Sequence, residues 1–147
     1  MMYRDGNGIR FWRNEKGELY REDGPAMEGF DGTKCWFVND RLHRIDGPAV
    51  DFASSGDQFW YLNGEKHRVG GPAVEYGSGN KEWWLNGQKH RVDGPAFKWN
   101  NGTKEWYLNG KRHRKDGPAV EWNDGAKEWW LEDVKYTEEE YKKKVKL

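Results

Sequence analysis

Short runs of alternating polar and apolar residues, separated by glycine-containing turns, extend along almost the whole chain. In Lys104-Glu105-Trp106-Tyr107-Leu108, Trp106 and Leu108 fall on one side of an extended strand and Tyr107 on the other. Strands this short need tight connections. Leu62-Asn63-Gly64-Glu65, Leu85-Asn86-Gly87-Gln88 and Leu108-Asn109-Gly110-Lys111 supply them. Asn-Gly between strands predicts a two-residue type I′ hairpin, in which both turn residues take positive φ. That turn sets the register. Leu108 faces Lys111, Tyr107 faces Arg112, Trp106 faces His113 and Glu105 faces Arg114. The same spacing pairs Trp36 with His43, Trp60 with His67, Trp83 with His90 and Trp129 with Tyr136.

A second turn precedes each Lys-Glu-Trp run, as in Gly77-Ser78-Gly79, Asn100-Asn101-Gly102 and Asn123-Asp124-Gly125. A three-residue loop ending in glycine sets Glu75 opposite Lys81, Lys98 opposite Lys104 and Glu121 opposite Lys127. The third punctuation is Asp-Gly-Pro-Ala, at Asp23, Asp46, Asp93 and Asp116, with Gly70-Gly71-Pro72-Ala73 filling the gap. Proline lacks an N–H and biases the residue before it toward extended geometry, so each tetrapeptide opens a strand. The motif starts at 23, 46, 70, 93 and 116, a period of about 23 residues, and such self-similarity marks a repeat architecture. Residues 1–22 match the second half of a unit, giving about five and a half units in one domain. The pattern breaks at the C-terminus. Thr137-Glu138-Glu139-Glu140 reads as a capping box, and Tyr141 and Val145 follow at helical spacing over 137–147. The prediction is an all-β, elongated antiparallel meander of hairpins, largely one layer thick, ended by a short helix that covers an open edge.

Composition narrows the picture. Only 35% of the residues are hydrophobic, yet 16% are aromatic, with ten Trp. Few aliphatic residues argue against a thick core, and many aromatic ones argue against disorder. A thin sheet held by stacked Trp, Arg and Lys satisfies both. The 25 basic and 25 acidic residues cancel, which removes the bulk attraction of a general nucleic-acid binder. The single Cys35 excludes an internal disulfide framework. No apolar run is long enough for a signal peptide or a transmembrane segment, so a cytoplasmic protein is expected.

Candidate chemistry is sparse. The four His recur at one register, and packing against the opposite Trp explains them better than a metal or general-base ladder. The Lys111-Arg112-His113-Arg114-Lys115 type segments form a basic stripe, best explained by pairing with Glu82, Glu105, Glu121 and Glu128. No catalytic residues, metal ligands or cofactor site are expected, and Cys35 reads as a tolerated substitution. Alternation gives one face Trp106, Leu108, His113 and Ala119, and the other Tyr107, Phe97, Trp99, Arg112 and Arg114. The first face has a uniform Trp, the second a varying aromatic. Variation between units fits a partner-binding face, so Tyr61, Trp84, Trp99, Tyr107, Trp122 and Trp130, with Arg91 and Arg114, are the expected binding residues.

Asn109-Gly110-Lys111-Arg112-His113, Asn86-Gly87-Gln88-Lys89-His90, Asn63-Gly64-Glu65-Lys66-His67 and Asn39-Asp40-Arg41-Leu42-His43 resemble the turn of MORN repeats, which share this period. The likeness covers nearly the whole chain. It departs after the histidine, where Arg44, Arg68, Arg91 and Arg114 replace the family's glycine, and in its longer Asp-Gly-Pro turn. Variants of this kind resemble phage, bacterial and large-virus proteins. The resemblance implies a binding or scaffolding role, with helices or peptides held in a groove, and the host cytoplasm as the setting for a phage or viral protein. A protein partner is therefore expected. A small-ligand or carbohydrate-binding module using aromatic platforms, a lipid-surface binder, and a homo-oligomer formed by edge pairing or face stacking stand as alternatives.

Overall fold

The computed structural model describes residues 1–146. A 13-stranded antiparallel meander runs its length, together with four two-stranded hairpin sheets and one C-terminal helix, Glu138–Val145. Leu147 lies outside the described residues.

Each unit folds the same way. The strand Phe97–Lys98 turns through Asn100-Asn101-Gly102 into Lys104–Glu105. Trp99 N–H donates to the Thr103 carbonyl at 2.9 Å, and Gly102 sits at φ 94°, where a side chain would be strained. The registers Glu121↔Lys127, Glu75↔Lys81 and Lys98↔Lys104 are those the turn predicts. The chain then continues into the hairpin Tyr107–Leu108 and Lys111–Arg112. Asn109 and Gly110, at φ 50° and 79°, close it as a turn with both central residues at positive φ. The first and last hairpins make the same turn with Asn39-Asp40 and Glu132-Asp133, all at positive φ.

Trp106 joins the two layers of hydrogen bonding. Its N–H donates to the Ala119 carbonyl of the next unit at 2.8 Å, and its carbonyl accepts from His113 N–H at 3.1 Å. One strand thus serves the main sheet with its first half and the hairpin with its second. The hairpin therefore ends at the Trp106–His113 pair. Glu105 instead pairs with Phe97 and Val120 in the main sheet, and Arg114 N–H reaches the Trp130 carbonyl at 3.3 Å. The expected Glu105–Arg114 pair does not form, because the backbone has already turned toward the next unit. Successive hairpins are also tied together: Gly110 N–H donates to the Lys89 carbonyl and Arg91 N–H to the Tyr107 carbonyl.

The core is a seam. Ala26, Ala49, Ala73, Ala96 and Ala119, each after its Pro, are fully buried, with Val50, Val74, Phe97 and Val120 beside them. At the N-terminus, Met2–Arg4 pairs with Arg10–Trp12, so the sheet contains a strand that the sequence repeat does not reveal.

At the other end the capping box forms as expected, with Thr137 Oγ1 accepting from Glu140 N–H at 3.2 Å. The helix inserts Tyr141, which is 3% exposed, onto the Trp129 ring at a centroid distance of 4.9 Å. Its hydroxyl donates to the Arg114 carbonyl and accepts from Gly117 N–H. Tyr141→Ala is expected to cost about 3 kcal/mol locally, in the range for large aromatic truncations. Amide exchange should rise across 117–136 and stay unchanged before residue 90; uniform exchange along the chain would contradict a local cap.

Candidate interaction surface

Arginine after the histidine is the residue that shapes one side of the array. Alternation alone sends Arg91 and Arg114 to the side of Tyr107. The structure puts them on the opposite side, over the uniform Trp. The guanidinium carbons of Arg44, Arg68, Arg91 and Arg114 lie 3.9, 3.9, 4.1 and 3.9 Å from the ring centroids of Trp36, Trp60, Trp83 and Trp106. Arg21 covers Trp12 likewise at 4.1 Å. Strand alternation stops at His113, so it no longer dictates where the next side chain goes.

The Asp-Gly-Pro turn is built around this stack. A Cβ on Gly94 would come within 3.1 Å of the Arg91 guanidinium carbon, and one on Gly117 within 2.9 Å of that of Arg114. Glycine lets the turn close over the guanidinium. Arg91 Nε then donates to Asp93 at 2.9 Å and its Nη1 to the Pro95 carbonyl at 3.3 Å. The hydrogen bond and charge of the arginine hold the Asp46, Asp93 and Asp116 carboxyls below the usual range. Asp, Gly, Pro, Arg and Trp thus form one device in four of the five units, and where Gly70 replaces the aspartate Arg68 pairs with Glu75 instead. Each Arg–Trp stack contributes on the order of 1 kcal/mol.

The histidines clip neighbouring units. Nδ1 of His43, His67 and His90 accepts the backbone N–H of Asn63, Asn86 and Asn109 at 3.0–3.1 Å. Accepting at Nδ1 leaves the proton of the neutral ring on Nε2. His113 meets both the N–H and the carboxylate of Glu132. Among the described residues, no three His, Cys, Asp or Glu side chains converge as a metal site.

Between consecutive Asp-Gly-Pro turns lies a pocket. Four occur in a row, each floored by one Trp of the uniform set: Trp36, Trp60, Trp83 and Trp106. The largest, about 820 Å³, is lined by His43, Trp60, Leu62 and His67. Adjacent pockets share a wall. Ile45, Val69 and Val92 form these walls, and they are 87, 81 and 84% exposed. Sequence reasoning passed over these three residues. Their signal is an apolar residue recurring between the arginine and the Asp-Gly-Pro turn of an otherwise polar segment.

The opposite side carries the aromatic residues expected to bind. It brings Tyr61, Trp84, Trp99, Tyr107, Trp122 and Trp130 together, without Arg91 and Arg114. Most of them hold a carboxylate. Glu105, 6% exposed, accepts from Trp99 Nε1 at 3.2 Å, Tyr107 Oη at 3.0 Å and Arg112 Nη2 at 3.2 Å. Glu82 accepts from Tyr76 and Trp84, and Glu128 from Trp130 and Lys135. Burial, with the Glu105 carboxylate beside it, pushes the Tyr107 hydroxyl up to about 12. Trp84, Tyr107 and Trp130 are half-buried, while Trp99 and Trp122 are exposed. The basic stripe is largely paired: Arg112 with Glu105, and Arg114 with Asp116 and Glu121. Cys35 takes the Glu105 position in an early unit, buried, and burial with the Asp31 charge raises its thiol to about 11, which suits packing.

No protein-family model matches the chain, and no curated protein matches it.

Proposed function

We propose that the chain is a non-catalytic protein-interaction module, a variant of the MORN type, whose binding surface is the row of pockets between the Asp-Gly-Pro turns. The observation that carries this reading is the recurrence of Ile45, Val69 and Val92, each more than four-fifths exposed, over a floor of Trp, Leu and His. Exposed apolar rows rimmed by polar residues are a signature of interaction sites. The carboxylate-holding aromatics of the other side already have partners, and one side of each uniform Trp is occupied by arginine. Stacking platforms for sugars are therefore fewer than the Trp content suggests. No helix among the described residues is long and apolar enough to cross a membrane. A cytoplasmic setting, that of the host for a phage or viral protein, accompanies this reading.

The test compares two double variants, both checked as folded by circular dichroism. Val69→Lys/Val92→Lys charges the groove, and Trp84→Ser/Tyr107→Ser alters the opposite side. Proteins captured by the unaltered chain should bind the groove variant at least tenfold more weakly, roughly 1.4 kcal/mol. The Trp84/Tyr107 variant should retain them. The reverse pattern would place the site on the side of Trp84.

A further inference from the structure

The pockets recur at a fixed length. Each unit adds two strands to the main sheet, so neighbouring pockets lie about 9.6 Å apart, twice the strand spacing. A ligand that places like groups in successive pockets must repeat at that length. An α-helix laid along the row returns to a like position after seven residues, about 10.5 Å, and drifts by roughly 3 Å over three steps. A β-strand shows the same side every second residue, at about 6.7 or 13 Å, and misses the period. A polyproline II helix turns once every three residues, about 9.3 Å, and drifts by only about 1 Å over the same distance.

The polar groups of the groove fit the same ligand. Trp84, Trp99 and Trp130 donate their indole N–H to glutamates. Trp36, Trp60, Trp83 and Trp106 make no such bond, and among the described residues no buried side-chain nitrogen lacks a partner. Their N–H groups are therefore not shut away from solvent, and each belongs to a Trp that lines a pocket. A polyproline II chain has no internal hydrogen bonds and offers its carbonyls as acceptors. Charge points the same way. The arginines stacked on the Trp rings also line the pockets, and each is paired, Arg44 with Asp46, Arg68 with Glu75, Arg91 with Asp93 and Arg114 with Asp116. A groove without unpaired arginine favours an uncharged segment over a phosphorylated or acidic one.

We propose that the groove binds a proline-rich segment of a partner protein in the polyproline II conformation, three residues to each unit. This deepens the interaction reading above and rests on it. Aromatic walls with spaced donors are how pre-formed polyproline helices are held at low entropic cost.

The experiment titrates acetyl-(Pro)12-amide, about 37 Å long, into the ¹⁵N-labelled chain and follows the indole N–H resonances. Those of Trp36, Trp60, Trp83 and Trp106 should move, while those of Trp84, Trp99, Trp122 and Trp130 stay. Shortening the peptide to six prolines should weaken binding tenfold or more, and Val92→Lys, a change at an exposed position, should do the same. Absent shifts at millimolar peptide, shifts confined to the glutamate side, or equal affinity for six and twelve prolines would each overturn the proposal. A heptad-repeat helical peptide provides the separating arm. If it alone moves the four groove indoles, the polyproline inference falls and the groove reading stands. If neither peptide moves them and Val69→Lys/Val92→Lys still captures the same proteins, both fall.

Discussion

Trp83→Ala is expected to lower the unfolding free energy by about 3–5 kcal/mol, the range for large aromatic core truncations. The ring is half-buried at the middle of the array, with Arg91 stacked at 4.1 Å and the Lys98 ammonium at 5.4 Å. Losing it removes the surface on which Arg91 lies, and with it the support of the Asp93-Gly94-Pro95 turn. Half-burial places the expected cost toward the lower end of the range. In a linear array each unit is stabilised by both neighbours, so a central defect weakens two interfaces. Trp12→Ala, at the end of the array, should cost less. His90→Ala should cost about 1 kcal/mol, since it removes one hydrogen bond, from Asn109 N–H to Nδ1. Denaturant unfolding measures all three. An unchanged midpoint for Trp83→Ala would show that this ring contributes nothing to the stack.

Turn chemistry made the hairpins legible. Asn-Gly specifies positive φ at two successive residues, and that alone fixes which Trp lies opposite which His. The three-residue loops were equally readable, because glycine at their last position, Gly79, Gly102 and Gly125, stands at φ 89–96° in the structure. Alternation served only as far as the strands continue. It failed at Arg91 and Arg114, whose positions are set by a ring and a glycine rather than by the pleat. It also gave no hint that Glu82, Glu105 and Glu128 would turn inward. A glutamate in a strand reads as solvent-facing, and only the donors on either side, such as Trp99 and Tyr107, make burial tolerable. The groove walls escaped for a different reason. Ile45, Val69 and Val92 lie outside any strand, where single apolar residues carry no periodic signal until the units are aligned. The strand Met2–Arg4 was hidden because its sequence departs from the repeat while its backbone keeps the pairing.

The buried glutamates suggest a substitution that the chain itself has already carried out. Glu105 occupies a position held by Cys35 and Phe59 in earlier units. Where the acid is absent, donors are missing too, though not all of them. The Cys35 unit has Gly29 in place of Trp99, Phe37 in place of Tyr107 and Leu42 in place of Arg112, whereas the Phe59 unit has Phe52 in place of Trp99 and keeps Tyr61 and Lys66. Phe59 packs edge-on against Phe52 at 5.6 Å, an apolar solution of the same site. Glu105→Phe alone should therefore destabilise the protein by about 3 kcal/mol, because the partly buried Arg112 and Tyr107, together with Trp99, lose an acceptor that is itself buried. Adding Trp99→Phe, Tyr107→Phe and Arg112→Leu removes the stranded donors and supplies the rings and aliphatic side chain that the earlier units use. The quadruple variant should recover most of the loss, since a buried ionic cluster replaced by well-packed apolar groups is often neutral or stabilising. Chemical denaturation of the single and quadruple variants decides the matter. A quadruple variant no more stable than Glu105→Phe alone would mean that the two kinds of unit are not interchangeable, and that the carboxylate orders its neighbours in a way apolar packing cannot replace.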